Sequence, residues 1–158
     1  MGLAYHPACR YQAMEINGAD RMELVLLLYK GAIKELHQAK GFLDTGEIEN
    51  RVRCINKASA LIGELKTALD FDRGGELARS LDRLYTYMIR RLIQANLRRD
   101  GEILEEIAGL LGTLLPAWEE TRLKNAAEKA DNTPFASQAG GTGDRLSLSS
   151  VEWAGSAR

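Results

Sequence analysis

The feature that most limits the possible folds is hydrophobic spacing. From about Asp20 to Trp118, apolar residues recur at helical intervals in four long segments, with no convincing strand between them. The densest stretch is "LVLLLYKGAI" at 24–33, whose unbroken apolar run from Leu24 to Tyr29 is far short of the roughly 20 residues that cross a membrane. No membrane insertion is expected, and such a run must be covered by protein.

The first segment opens at "ADRMEL", where Asp20 and Glu23 have the spacing of a capping box, and it runs to about Asp44. The second places Ile48, Val52, Ile55, Ile62, Leu65 and Leu69 on one face and is expected to close at "DFDRGGE", whose paired glycines suit a left-handed helix end. The third aligns Leu77, Leu81, Leu84, Met88, Leu92 and Ala95, and it stops near "RRDG". The fourth aligns Ile103, Ile107, Leu110, Leu111, Leu114 and Trp118, with a kink or break expected at Pro116 because proline removes a backbone donor and crowds the preceding turn. "EETRLKNAAEKA" would extend it.

Short connections between long helices make neighbours antiparallel, so the expected fold is all-α, an up-down four-helix bundle. The expected organisation is an N-terminal arm at 1–19, a bundle at 20–129 and a tail at 130–158. The arm is expected to be flexible, and the glycine- and serine-rich tail to be disordered.

Lysine and arginine (21) nearly balance aspartate and glutamate (22), so no global field favours nucleic acid or an anionic membrane. Cys9 and Cys54 stand far apart without ligand spacing, which fits a reducing cytosol, and the N-terminus lacks the pattern of a secretory signal. His6 and His37 belong to no metal motif, and neither "RGGE" nor "GGTG" has the context of a phosphate loop. Arg90, Arg91, Arg98 and Arg99 form a basic corner suited to the negative end of a helix dipole, without an aromatic stacking platform. The adjacent pairs Glu105–Glu106 and Glu119–Glu120 point to different parts of a helix surface. No catalytic group, metal or cofactor is expected.

What remains is apolar surplus. In the first helix Val25, Leu28, Tyr29, Ala32, Leu36, Ala39 and Leu43 form the core stripe, which leaves out Leu24, Leu26, Leu27 and Ile33. Leu26 and Ile33 lie on one shoulder, Leu24 and Phe42 on the other, and Leu27 is near the back beside Lys30 and Lys34. In the third helix Ile89, Ile93 and Leu97 make a second apolar line, while the second and fourth helices show less excess. A contiguous line of this kind marks a partner site. Covering six such side chains contributes roughly 9 to 18 kcal/mol, enough to offset the ordering of an amphipathic client segment.

With the helices placed, "YQ" at Tyr11 and Gln12, "ELVLLLYKGAI", "GGELARSLDRLYTYMIRRLIQANLRRD" and Trp118 together resemble the FliS-type flagellar secretion chaperones over residues 11–118. The departures are Asp20 and Arg21 where the family usually has Ser-Pro, and Lys30 and Thr86 where it has acidic residues after Leu-Tyr. Pro116 and the long tail also depart from the pattern.

The resemblance implies a non-enzymatic cytosolic bundle that binds the C-terminal segment of flagellin. It also implies suppression of premature polymerisation and delivery of the client to the export gate protein FlhA. It assigns Tyr11 to gate docking. Leu24, Leu26, Leu27, Ile33, Ile89, Ile93 and Leu97 are the candidate flagellin-binding residues, from their surplus positions. The alternative is a self-associating bundle adaptor without a flagellin client. A monomer or weak homodimer in light scattering would favour the chaperone, and a tight dimer the adaptor.

Overall fold

In the computed structural model, which describes residues 18–131, helices occupy Gly18–Thr45 (α1), Ile48–Thr67 (α2), Phe71–Arg98 (α3) and Gly101–Asp131 (α4). No strand occurs among the described residues. The N-terminal arm with His6, Cys9 and Tyr11, and the tail beyond α4, lie outside them. The chain divides into two units, Met1–Arg122 and Leu123–Arg158. The helix packing described below belongs to the first; in the second, Leu123 is exposed on the last turns of α4.

The three connections show why the chain turns where it does. After α1, Gly46 adopts φ 78°, its N–H bonds the Leu43 carbonyl, and the Glu47 N–H bonds the Phe42 carbonyl at 2.9 Å. This pair of bonds satisfies carbonyls that the helix end leaves open, in the manner of a Schellman motif. Before α3, the Asp70 carboxylate accepts from the Asp72 and Arg73 amides, each at 3.1 Å. After α3, Arg99 takes a left-handed φ of 55°, and Asp100 then caps α4 by accepting from the Glu102 and Ile103 amides.

Four expectations change here. α1 already includes Gly18, so Asp20 sits within its first turn rather than at its cap. α2 ends at Thr67, and the paired glycines belong to α3, where Gly75 (φ 48°, ψ −125°) hinges a short initial turn against the main helix. A left-handed glycine serves equally as a stop or as a hinge, and Asp70 capping Asp72 and Arg73 decides for the hinge. α4 runs unbroken through Pro116; Gly112 and Pro116 are both exposed, so water can reach the Gly112 carbonyl that proline leaves unbonded. Finally, Leu77 and Ile48 are exposed at the beginnings of their helices, whereas Ala78, Tyr85, Leu104 and Ala108 are buried.

Gly75→Ala is accordingly expected to lower stability by about 1 kcal/mol or more, because an L side chain resists that backbone conformation. Urea denaturation followed by circular dichroism checks this, with Gly112→Ala, at an open helical site where alanine is favoured over glycine by about 0.5–1 kcal/mol, expected to shift stability in the opposite direction.

All four helices line one core: Tyr29, Ala32 and Leu36 from α1, Ile55, Ala58 and Ile62 from α2, Tyr85, Met88 and Leu92 from α3, and Leu104, Ile107 and Leu111 from α4. Ala32, Ala39 and Ala58 are fully buried, and a Cβ placed on Gly31 would lie 3.3 Å from Leu61 Cδ1. Small side chains thus let α1 and α2 approach closely. Their antiparallel register is visible in Glu35–Lys57 at 2.6 Å and in the Cys54 thiol pointing to Gln38. Lys30–Glu119 at 3.1 Å and Lys40–Glu105 at 3.8 Å make α1 and α4 antiparallel as well.

Candidate functional site

The surface of α3 follows from helix geometry. Four residues advance a helix by about 40° more than one turn, so a line at intervals of four drifts around the axis. Ile89, at its start, is half-buried against the core, and Ile93 and Leu97 emerge into solvent at 56% and 79% exposure. Leu92 and Ala95, on the core stripe between them, are buried. Continuous apolar spacing therefore yields a graded surface, anchored at one end and open at the other.

The first helix divides its candidates differently. Leu27 is 61% exposed, near Lys30 and Lys34. Leu24 and Ile33 are half-buried against the core. Leu26 is only 5% exposed and contributes nothing to the free surface. Ile33 joins Leu115 in the apolar floor of an open groove of about 560 Å³, rimmed by Lys30, Lys34, His37 and Gln38.

Lys30 and Thr86 both find local partners. Lys30 makes the Glu119 ion pair, and the Thr86 hydroxyl donates to the Asp82 carbonyl at 2.8 Å. Next to Thr86, Tyr87 and Arg91 of α3 both donate to the Glu106 carboxylate of α4. Those two hydrogen bonds hold the Glu106 carboxyl below the usual carboxylate range, and the carboxylate in turn raises the Tyr87 phenol. The cluster fastens α3 to α4 on the side where Arg91 rather than Ile93 projects.

Under these surfaces lies a feature that periodicity did not reveal. The Tyr29 and Tyr85 hydroxyls, both buried, meet at 2.5 Å between α1 and α3. Trp118 of α4 stacks obliquely on Tyr29, with ring centroids 6.3 Å apart. The two Leu-Tyr dipeptides, at 28–29 and 84–85, are the sequence signal for this junction, since both tyrosines fall on the buried faces of their helices.

The described residues hold no group of three or more potential metal ligands. Burial and the neighbouring Glu35 raise the Cys54 thiol, which opposes nucleophilic use. None of the described helices is long and apolar enough to cross a membrane. What the site offers is apolar contact.

Comparison with known proteins shows a family likeness. The family model for the flagellar protein FliS matches residues 4–126. A flagellar secretion chaperone, FliSB, of Pseudomonas aeruginosa is 41% identical over 105 residues, which is 66% of this chain and 83% of the relative. The flagellar secretion chaperone FliS of Salmonella typhimurium is 38% identical over 116 residues, 73% of this chain and 86% of the relative. The Bacillus subtilis protein of that name is 34% identical over 115 residues, 73% of this chain and 85% of the relative.

Proposed function

Because the chain belongs to the FliS family of flagellar proteins, we propose that it is a flagellar export chaperone that covers the C-terminal segment of flagellin until export. The relatives are named as chaperones, a non-enzymatic role. The observation that carries the reading is the exposure of Leu27, Ile93 and Leu97 on helices whose opposite faces are fully packed. Large apolar side chains held on a rigid scaffold bind a partner segment without first paying to order themselves. Leu24, Ile33 and Ile89, half-buried beside them, supply the rims of the contact. A covered flagellin end is withheld from polymerisation in the cytosol, and the loaded chaperone passes it to FlhA.

Calorimetric titration of the full chain with a flagellin C-terminal fragment tests this reading. Saturable binding to a monomer supports it. Absence of binding, with light scattering showing a tight dimer that hides these residues, replaces it with the self-associating adaptor.

Tyr11 is the proposed contact with FlhA. Tyr11→Ala is expected to weaken capture of the loaded chaperone by the FlhA cytoplasmic domain about tenfold and to leave flagellin affinity within twofold, since the removed contact is worth about 1.4 kcal/mol at one site only. Equal losses in both pull-down assays would refute that division of labour.

A further inference from the structure

Among the described residues, the buried charged side chains are Glu35 and Arg51. Glu35 is paired with Lys57 at 2.6 Å. Arg51, at 5% exposure, makes no ion pair and no side-chain hydrogen bond among the described residues, and its Nε is enclosed without a partner. An exposed arginine needs no partner because its head is in water; here the head is covered together with its stem. A buried charge without a counter-ion is strongly destabilising. Its place adds to the cost, since Arg51 stands in the first turn of α2, at the positive end of the helix dipole.

The same helix end is short of acceptors. Glu47, at the cap of α2, makes no side-chain bond to the first-turn amides, because its carboxylate accepts from Asn50 at 2.6 Å and Thr45 at 3.1 Å. Asp44 is held by Lys40, and Asp100 caps α4. Side chains of a helix lean toward its N-terminus, so the Arg51 guanidinium leans to the uncapped amides. Free amides and an unpartnered guanidinium together favour an anion. Equal counts along α2 and α3 from the Lys66–Asp82 pair bring Arg51 level with Leu97, the open end of the apolar line on α3.

Resting on the reading that α3 receives the client, we infer that Arg51 and the first-turn amides of α2 take the α-carboxylate of the client's last residue. A segment that passes over Ile93 and Leu97 arrives at this end of the bundle. Its terminal carboxylate has two acceptor oxygens, which a guanidinium fork and free amides can bond together. An internal stretch of the same sequence has no such group. The site therefore reads the end of the client chain and fixes its direction, while the apolar line holds it.

The test titrates the full chain with the flagellin C-terminal fragment in two forms, one ending in the free acid and one in the amide. Wild type is expected to bind the acid about tenfold more tightly, the loss of one charge-assisted contact. Arg51→Met should bind both forms as wild type binds the amide. Arg53→Met, on the exposed surface of α2, should keep the preference for the acid. In urea, Arg51→Met should hold or raise the denaturation midpoint of the free chain, because it removes a buried charge that has no counter-ion. A lower midpoint would show that the guanidinium is already satisfied in the free chain, and would overturn the assignment. If wild type binds acid and amide within twofold of each other, the carboxylate site is overturned and the chaperone reading stands; this comparison needs no variant to fold. If Arg51→Met keeps the preference for the acid, the carboxylate is read elsewhere and the role of Arg51 is overturned. If wild type binds neither form, both readings fall.

Discussion

Replacing Ile93 and Leu97 together by aspartate should weaken binding of the flagellin C-terminal fragment by about 100-fold or more while the helical signal in circular dichroism stays within a few per cent of wild type. Each apolar side chain removed from water contributes about 1.5–3 kcal/mol, so losing both amounts to about 3–6 kcal/mol of binding free energy. A factor of ten in affinity corresponds to about 1.4 kcal/mol, and the lower bound already exceeds two such factors. Because the two residues are 56% and 79% exposed, the folded chain gives up little when they become polar. Leu92→Asp, at the buried position next to Ile93, should instead unfold the bundle, which separates surface from core on one helix. Isothermal calorimetry with the fragment decides the matter, and an affinity within threefold of wild type would remove α3 from the binding surface.

The second large effect belongs to the tyrosine junction. Tyr29→Ala is expected to cost about 3–5 kcal/mol, as for other buried aromatic truncations. That is a large part of the 5–15 kcal/mol typical of a whole domain. The change also strips Tyr85 of its hydroxyl partner and Trp118 of its ring contact. Removing one hydroxyl alone, as in Tyr29→Phe, leaves the other buried and should cost about 1–3 kcal/mol, whereas the double phenylalanine variant should recover most of it.

Alkali provides an independent readout. Burial raises both phenols above their ordinary value of 10.0, with their mutual contact adding to the rise at Tyr85 and lowering it at Tyr29. A folded-state pKa above the unfolded one means that this contribution is fully present below pH 10 and is lost as pH rises beyond it. Denaturant midpoints should therefore fall more steeply above pH 10 for wild type than for Tyr29→Phe with Tyr85→Phe. The lysines titrate in both proteins and cancel in the comparison. Parallel pH profiles would show that the junction tolerates ionisation.

The stripes of the bundle were legible because burial on one face forces a helical repeat, and Leu36, Ile62, Leu92 and Ile107 were all identified from that repeat and are fully or almost fully buried. Leu27, Ile93 and Leu97 were identified as surplus by the same arithmetic, and they are exposed. The reasoning fails where a neighbour decides. Leu26 and Leu27 are adjacent apolar residues off the core stripe, yet the first is 5% and the second 61% exposed, a difference that the helical repeat alone does not give. Gly75 has a conformation that sequence can suggest, but whether it ends one helix or bends the next depends on Asp70. The meeting of Tyr29 and Tyr85 across 56 residues has no local signature beyond the two Leu-Tyr pairs.

The rotation of the Ile89, Ile93 and Leu97 ridge has a geometric consequence for anything that settles on it. Ridges built from every fourth residue incline by about 26° to their helix axis, and two such ridges interlock with the rods crossed at about 50°. A visiting helix would thus lie slantwise over α3, touching it across a short span, instead of aligning as a fifth stave of the barrel. Such a guest is clasped at a crossing point and can be peeled away from one end, a disposition suited to cargo that must later be surrendered.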